Sequence, residues 1–159
     1  MPLPDRKLPL PADQPSGRRP LLSRILKAIR RRRGLLSQEV ADRMGLPLRT
    51  YEHFEAGGGR LNLARLQSFA EATDSDAYAI VASLAFGEIH FALRCADNKA
   101  MTIAMMAIQD LDREVGDDLA LLDARRILHE FDAACGRLAE EARSRRFPGP
   151  RDGPAGSAR

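Results

Sequence analysis

The sequence predicts an all-α protein, and three observations carry that prediction. Apolar residues recur every three to four positions in most of the chain between residues 21 and 143, with no strand-like alternation among them. Glycines and capping residues (Gly34, Gly45, Gly57 to Gly59, Asn62, Gly87, Gly116) punctuate that pattern at intervals suited to short helices. Prolines cluster outside it, six of them before Leu21.

The elements follow in order. Residues 1–20 are proline-rich and without periodicity, which predicts a disordered arm carrying Arg18 and Arg19 at its end. Residues 21–33 place Leu21, Leu22, Ile25, Leu26 and Ile29 on one helical face, and Gly34 ends the helix. Arg30 to Arg33 are consecutive, so they point in four directions, and one of them is expected to turn inward. Residues 36–57 read as two short helices around a tight turn. Val40, Ala41 and Met44 share a face, and Gly45 suits a left-handed C-terminal cap. Leu46-Pro47 opens the next helix, which buries Tyr51 and Phe54 and stops at Gly57. Asn62 caps a fourth helix with Leu63, Leu66, Phe69 and Ala70 inward. Asp74 or Ser75 caps a fifth with Tyr78, Val81, Ala82 and Ala85 inward, and Gly87 closes the unit.

Residues 88–146 are expected to form a second helical region. It contains a short helix around Phe91 to Cys95 and a longer one capped by Asp97 or Asn98, with Met101, Met105, Ile108 and Leu111 in its stripe, where methionine at helical spacing reads as core. The last helix runs from about Leu119 to Arg143. Its seam, including Leu121, Leu128, Phe131, Cys135 and Leu138, keeps alternating three–four spacing, which suits packing on the Met-rich helix within one chain or on a second subunit and makes this region the candidate for dimerisation. Residues 147–159 read as a disordered tail.

Composition narrows the function classes. No apolar run is long enough for a membrane span and no signal core is present, so a cytoplasmic protein is expected. Cys95 and Cys135 share no metal-ligand spacing with His53, His90 or His129; reduced core thiols and no metal or cofactor are expected. Gly57 to Gly59 follow a helix and lack the Lys-Ser/Thr of a phosphate loop, Asp117-Asp118 reads as a capping turn, and no enzyme is expected. Residues 1–66 hold 14 Lys/Arg against 6 Asp/Glu, whereas residues 88–146 hold 9 against 12. The positive half is the one with the helix-turn-helix pattern, as phosphate binding needs.

Residues 21–87 resemble the lambda-repressor/Xre family of phage and bacterial helix-turn-helix regulators. The match rests on Leu35, Val40, Ala41 and Gly45, on Leu46, Thr50, Tyr51, Phe54, Glu55 and Gly57, and on Leu66, Phe69 and Ala70. It implies a five-helix DNA-binding domain, followed here by the helical C-terminal region. By the same resemblance Leu48, Arg49, Glu52 and His53 are base-contacting candidates. Ser37, Gln38, Thr50, Arg60 and Asn62 are phosphate-contacting candidates, and Arg30 and Glu55 form an internal ion pair. Ser37 stands where the family often has glutamine, and Pro47 where it has serine or threonine. The implied partners are double-stranded DNA, a second copy of the chain and, for an activator, RNA polymerase. The implied function is a sequence-specific regulator, leaning towards repression by a homodimer on a two-fold operator. The competing expectation is a protein-interaction module, antitoxin-like or polymerase-contacting, using the same two helices.

Overall fold

A computed structural model describes residues 15–146. Among them there are only helices: α1 (Pro15–Arg32), α2 (Ser37–Arg43), α3 (Leu48–Glu55), α4 (Leu63–Ala72), α5 (Ala77–Phe86), α6 (His90–Cys95), α7 (Ala100–Val115), a 3₁₀ segment (Gly116–Leu121) and α8 (Ala124–Arg146). They fall into two compact units, one ending at Gly116 and the other starting at Asp117.

In the first unit, Ile25, Leu26 and Ile29 of α1 meet Val40, Tyr51, Phe54, Leu66, Phe69, Ile80 and Leu84 in one core. Phe54 stands edge-on to Phe69 at 6.0 Å. α1 starts six residues before Leu21, so residues 15–20 are helix and not arm; residues 1–14 and 147–159 lie outside the described residues. Pro20 is tolerated because it lies in the second turn, where its missing N–H removes a single helix bond.

α5 is apolar nearly all round, and its buried face is Ala79, Ile80, Ser83 and Leu84; Tyr78, Val81, Ala82 and Ala85 are only half-buried. Sequence periodicity has no phase to report on such a helix. Leu63, expected inward on α4, is 43% exposed. The expected boundary at Gly87 is no break in packing. Ala92, Cys95 and Ala96 are buried, and Ser83 Oγ accepts a bond from the Ala92 N–H at 2.8 Å.

Asp76, rather than Asp74 or Ser75, caps α5, and it does more. Its side chain is 1% exposed. Oδ1 accepts from the Ala79 N–H at 3.1 Å and from Thr102 Oγ1 at 2.9 Å, while Oδ2 accepts from the N–H groups of Met101 at 2.9 Å and Thr102 at 3.2 Å. One carboxylate thus caps the N-termini of both α5 and α7, whose positive ends balance its charge. Asn98 adds a bond to the Ala100 N–H at 3.0 Å. α7 buries none of its residues; Met105 and Ile108 are 40% and 41% exposed, so the stripe expected as core is half-open.

The second unit holds α8, which starts at Ala124, five residues later than expected. Asp123 Oδ1 accepts from the Arg125 and Arg126 N–H groups at 2.9 and 3.2 Å, which fixes that start. None of α8 is buried. Leu121, Phe131 and Leu138 are exposed and Leu128 is half-buried. Cys135 is also exposed, which corrects the expectation of two core thiols. Cys95 is buried, and burial pushes its thiol above the usual range.

Candidate nucleic-acid interface

The two-helix head is shaped by its turns. Gly45 has φ +63°, its N–H bonds to Asp42 O at 3.0 Å, and Leu46 N–H reaches back to Ala41 O at 2.9 Å. This closure ends α2 and leaves Pro47 extended, directly before α3. α3 ends the same way: the Gly57 N–H bonds to Phe54 O at 2.9 Å and the Gly58 N–H to His53 O at 2.8 Å. Gly57 is required twice over. It has φ +79°, and a Cβ there would collide with the Arg19 carbonyl oxygen, because α1 runs against this turn.

α2 begins at Ser37, which is half-buried. The Glu39 carboxylate accepts from the Leu36 N–H at 2.6 Å, the acidic half of a capping box whose other half leucine cannot supply. Gln38 is exposed and donates to Asp42 Oδ1 at 2.7 Å. Arg43 donates to Ala72 O at 3.0 Å, capping the end of α4.

α3 is sharply two-faced. Tyr51, Phe54 and Glu55 are buried, whereas Arg49, Thr50, Glu52 and His53 are exposed. Leu48 is divided between the two: it is half-buried and packs on the core, so less of it is left for a thymine methyl. Arg49 forms no ion pair among the described residues, and Glu52 does not hold it. The His53 imidazole lies against the turn, so close that a Cβ on Gly58 would strike the ring. Arg60 and Asn62 are exposed, and Asn62 Oδ1 caps α4 through the Arg65 N–H at 3.3 Å.

Arg30 and Glu55 meet beneath this face. Arg30 Nε donates to Glu55 Oε1 at 2.6 Å and Nη2 to Oε2 at 3.2 Å, a two-pronged contact. Arg30 Nη1 donates to Leu35 O at 3.0 Å, and Tyr51 Oη donates to Glu55 Oε1 at 2.7 Å. The hydrogen bonds that Arg30 donates to Glu55 hold its guanidinium pKa above the ordinary value, and burial does the same for the Tyr51 phenol. The guanidinium thus joins α1, the α1–α2 turn and α3.

The other arginines of the run are engaged elsewhere. Arg32 donates to Leu93 O at 3.1 Å and to Asp97 Oδ2 at 2.8 Å. Arg33 bonds to Thr73 O at 2.9 Å, to the Asp74 carbonyl and to Asp97 Oδ1 at 2.8 Å. Lys99 reaches Asp74 Oδ1 at 2.8 Å. The Lys99 hydrogen bond pulls the Asp74 carboxyl below the usual range, and that of Arg33 does the same for Asp97. Three of the four arginines therefore have intramolecular partners, where one was expected to turn inward; Arg30 and Arg33 are partly buried and Arg32 stays exposed. Around α3 itself the positive charge is thin: residues 34–62 carry three arginines against three carboxylates besides Glu55, which Arg30 neutralises.

Sequence reasoning missed three surface leucines: Leu36 is 68% exposed, Leu61 55% and Leu63 43%. The signal was there in part, because Leu61 sits between Arg60 and Asn62, outside any helical stripe. No group of His, Cys, Asp or Glu arranged to hold a metal is present among the described residues, and none of their helices is long and apolar enough to cross a membrane.

Neither a curated protein nor a solved structure matches the chain. Residues 26–78 match the helix-turn-helix family model, a span that opens in α1 and closes in α5. With α2, a glycine turn and α3 in place and one polar face of α3 open to solvent, residues 26–78 form a DNA-binding helix-turn-helix of the lambda-repressor/Xre type.

Proposed function

We propose that the protein is a sequence-specific transcriptional repressor that binds a two-fold operator as a homodimer. The observation that carries this reading is the division of α3: Arg49, Thr50, Glu52 and His53 face solvent on a helix whose opposite face is pinned by the Arg30–Glu55 fork. In the major groove, Arg49 is the residue suited to guanine, since a guanidinium spans O6 and N7. Glu52 suits cytosine N4. His53 and Leu48 make shorter-range contacts near the ends of the reading face. In this reading Ser37, Gln38, Thr50, Arg60 and Asn62 meet phosphate, with Gln38 exchanging its bond to Asp42 for one to DNA. One such helix covers few base pairs, so two copies one DNA turn apart supply the specificity. The exposed seam of Leu121, Phe131 and Leu138, with Leu128, supplies a surface for joining them.

The test is binding to a selected cognate duplex and to a scrambled one, with Arg49→Ala beside the wild type and the mass of the complex measured. We expect two protein copies per site. We also expect Arg49→Ala to lose about 2 kcal/mol of discrimination per half-site, leaving salt-sensitive nonspecific binding intact. Undiminished preference in the variant would remove Arg49 from base reading.

A second reading has its own support. The head is close to neutral and carries Leu36, Leu61 and Leu63 open to solvent, a surface that also suits a protein partner, in an antitoxin-like or polymerase-contacting role. Salt separates the two readings: phosphate binding weakens steeply with ionic strength, whereas docking on leucines does not.

A further inference from the structure

The region from Pro15 to Gln38 contains eight Lys/Arg and no carboxylate. Arg30, Arg32 and Arg33 are engaged internally. Arg24, Lys27 and Arg31 are spaced three and four apart, on the face of α1 opposite Ile25, Leu26 and Ile29. Arg24 and Arg31 are exposed and Lys27 half-exposed, and none of the three has an ion pair among the described residues. Several exposed arginines elsewhere (Arg94, Arg113, Arg143 and Arg145) do hold a carboxylate within 3.1 Å, whereas on this face of α1 three cations in a row hold none. The N-terminal end of α1 lies against the Gly57 turn, directly after the reading helix and three residues before Arg60.

We propose that this face of α1 is a second, sequence-independent phosphate-binding track, formed by Arg24, Lys27 and Arg31. The proposal rests on the DNA-binding reading of α3 and answers a difficulty in it. A head with three arginines and three carboxylates besides the Arg30-paired Glu55 has little net charge with which to attract a polyanion, and a carboxylate-free face on the adjoining helix supplies it. The shared chemistry is the phosphodiester backbone. It belongs either to DNA flanking the operator or to a second duplex.

The test compares the full-length protein with the triple variant Arg24→Gln/Lys27→Gln/Arg31→Gln over a salt series. The side chains face away from the core, so circular dichroism and the unfolding midpoint should be preserved. On operator DNA extended by several helical turns, the slope of log K against log salt should become shallower by about 2 to 3, roughly 0.9 for each phosphate that is no longer neutralised. The ratio of cognate to scrambled affinity should not change, which distinguishes the track from Arg49. If the wild-type slope steepens with duplex length and the variant's does not, the phosphates are flanking DNA. If the wild type retains a second labelled duplex and the variant does not, they belong to another DNA segment. Equal slopes for the two proteins on every duplex would overturn the track while leaving Arg49-dependent specificity intact. Absence of wild-type binding at any salt would instead overturn the DNA reading itself, and the track with it.

Discussion

Asp76→Ala is expected to lower the folding stability of the first unit by about 4 kcal/mol, the loss of two helix caps plus the cost of leaving buried N–H groups unpaired. The side chain accepts four hydrogen bonds, which matches the acceptor capacity of an ionised carboxylate. Alanine leaves the Ala79, Met101 and Thr102 N–H groups without this partner at a site that is 1% exposed. Asp76→Asn separates the two caps. Its amide oxygen can keep one helix, but its NH₂ then faces the donors of the other, so about half the loss is expected. Urea unfolding of the three proteins checks this, with the first turn of α7 losing hydrogen-exchange protection in both variants. A loss below about 1 kcal/mol for alanine would show that the two helix starts do not depend on this carboxylate.

Glu55→Ala is expected to cost about 3 kcal/mol, because it strands the Arg30 guanidinium at a site where its partner carboxylate is only 6% exposed. The damage is asymmetric. Arg30→Met/Glu55→Leu removes both charges and fills the space with apolar atoms, and should recover much of that loss. A double-mutant cycle built from the single and double variants measures the coupling, and additive effects would show that the fork does not couple α1 to α3. The pair also bears on DNA reading, since Glu55 holds the inner face of the helix whose outer face carries Arg49. Glu55→Ala protein kept folded by low temperature should discriminate operators less well than wild type, although Glu55 touches no base.

The helix-turn-helix was legible because its determinants are local. Gly45 and Gly57 sit where left-handed turns are needed, Pro47 sits directly before α3, and Tyr51 and Phe54 are one turn apart. Which α3 residues are left exposed followed from the same period. What was not legible depended on distant partners. Asp74, Ser75 and Asp76 are all competent caps, and the choice of Asp76 is made by α7, 25 residues on. The run Arg30 to Arg33 is uniform in sequence, yet Asp97, Thr73 and Glu55 sort its members into inward and outward ones. α5 offered no polar face from which to set its phase. The methionine stripe of α7 looked like core because periodicity reports amphipathicity and not what covers it.

The position of Asp97, Lys99 and Thr102 also sets an order of events during synthesis. A chain made from its N-terminus frees residues 26–78 to fold before residues 97 to 102 can reach them. Until then Arg32 and Arg33 lack their carboxylate at Asp97, and the Asp76 carboxylate has only the Ala79 N–H of its four donors. The nascent head therefore carries more free guanidinium than the finished one. Addition of α6 and the first turn of α7 both completes its stability and withdraws that charge, so the unit acquires its final electrostatic character only when residues well outside the reading helices have been added.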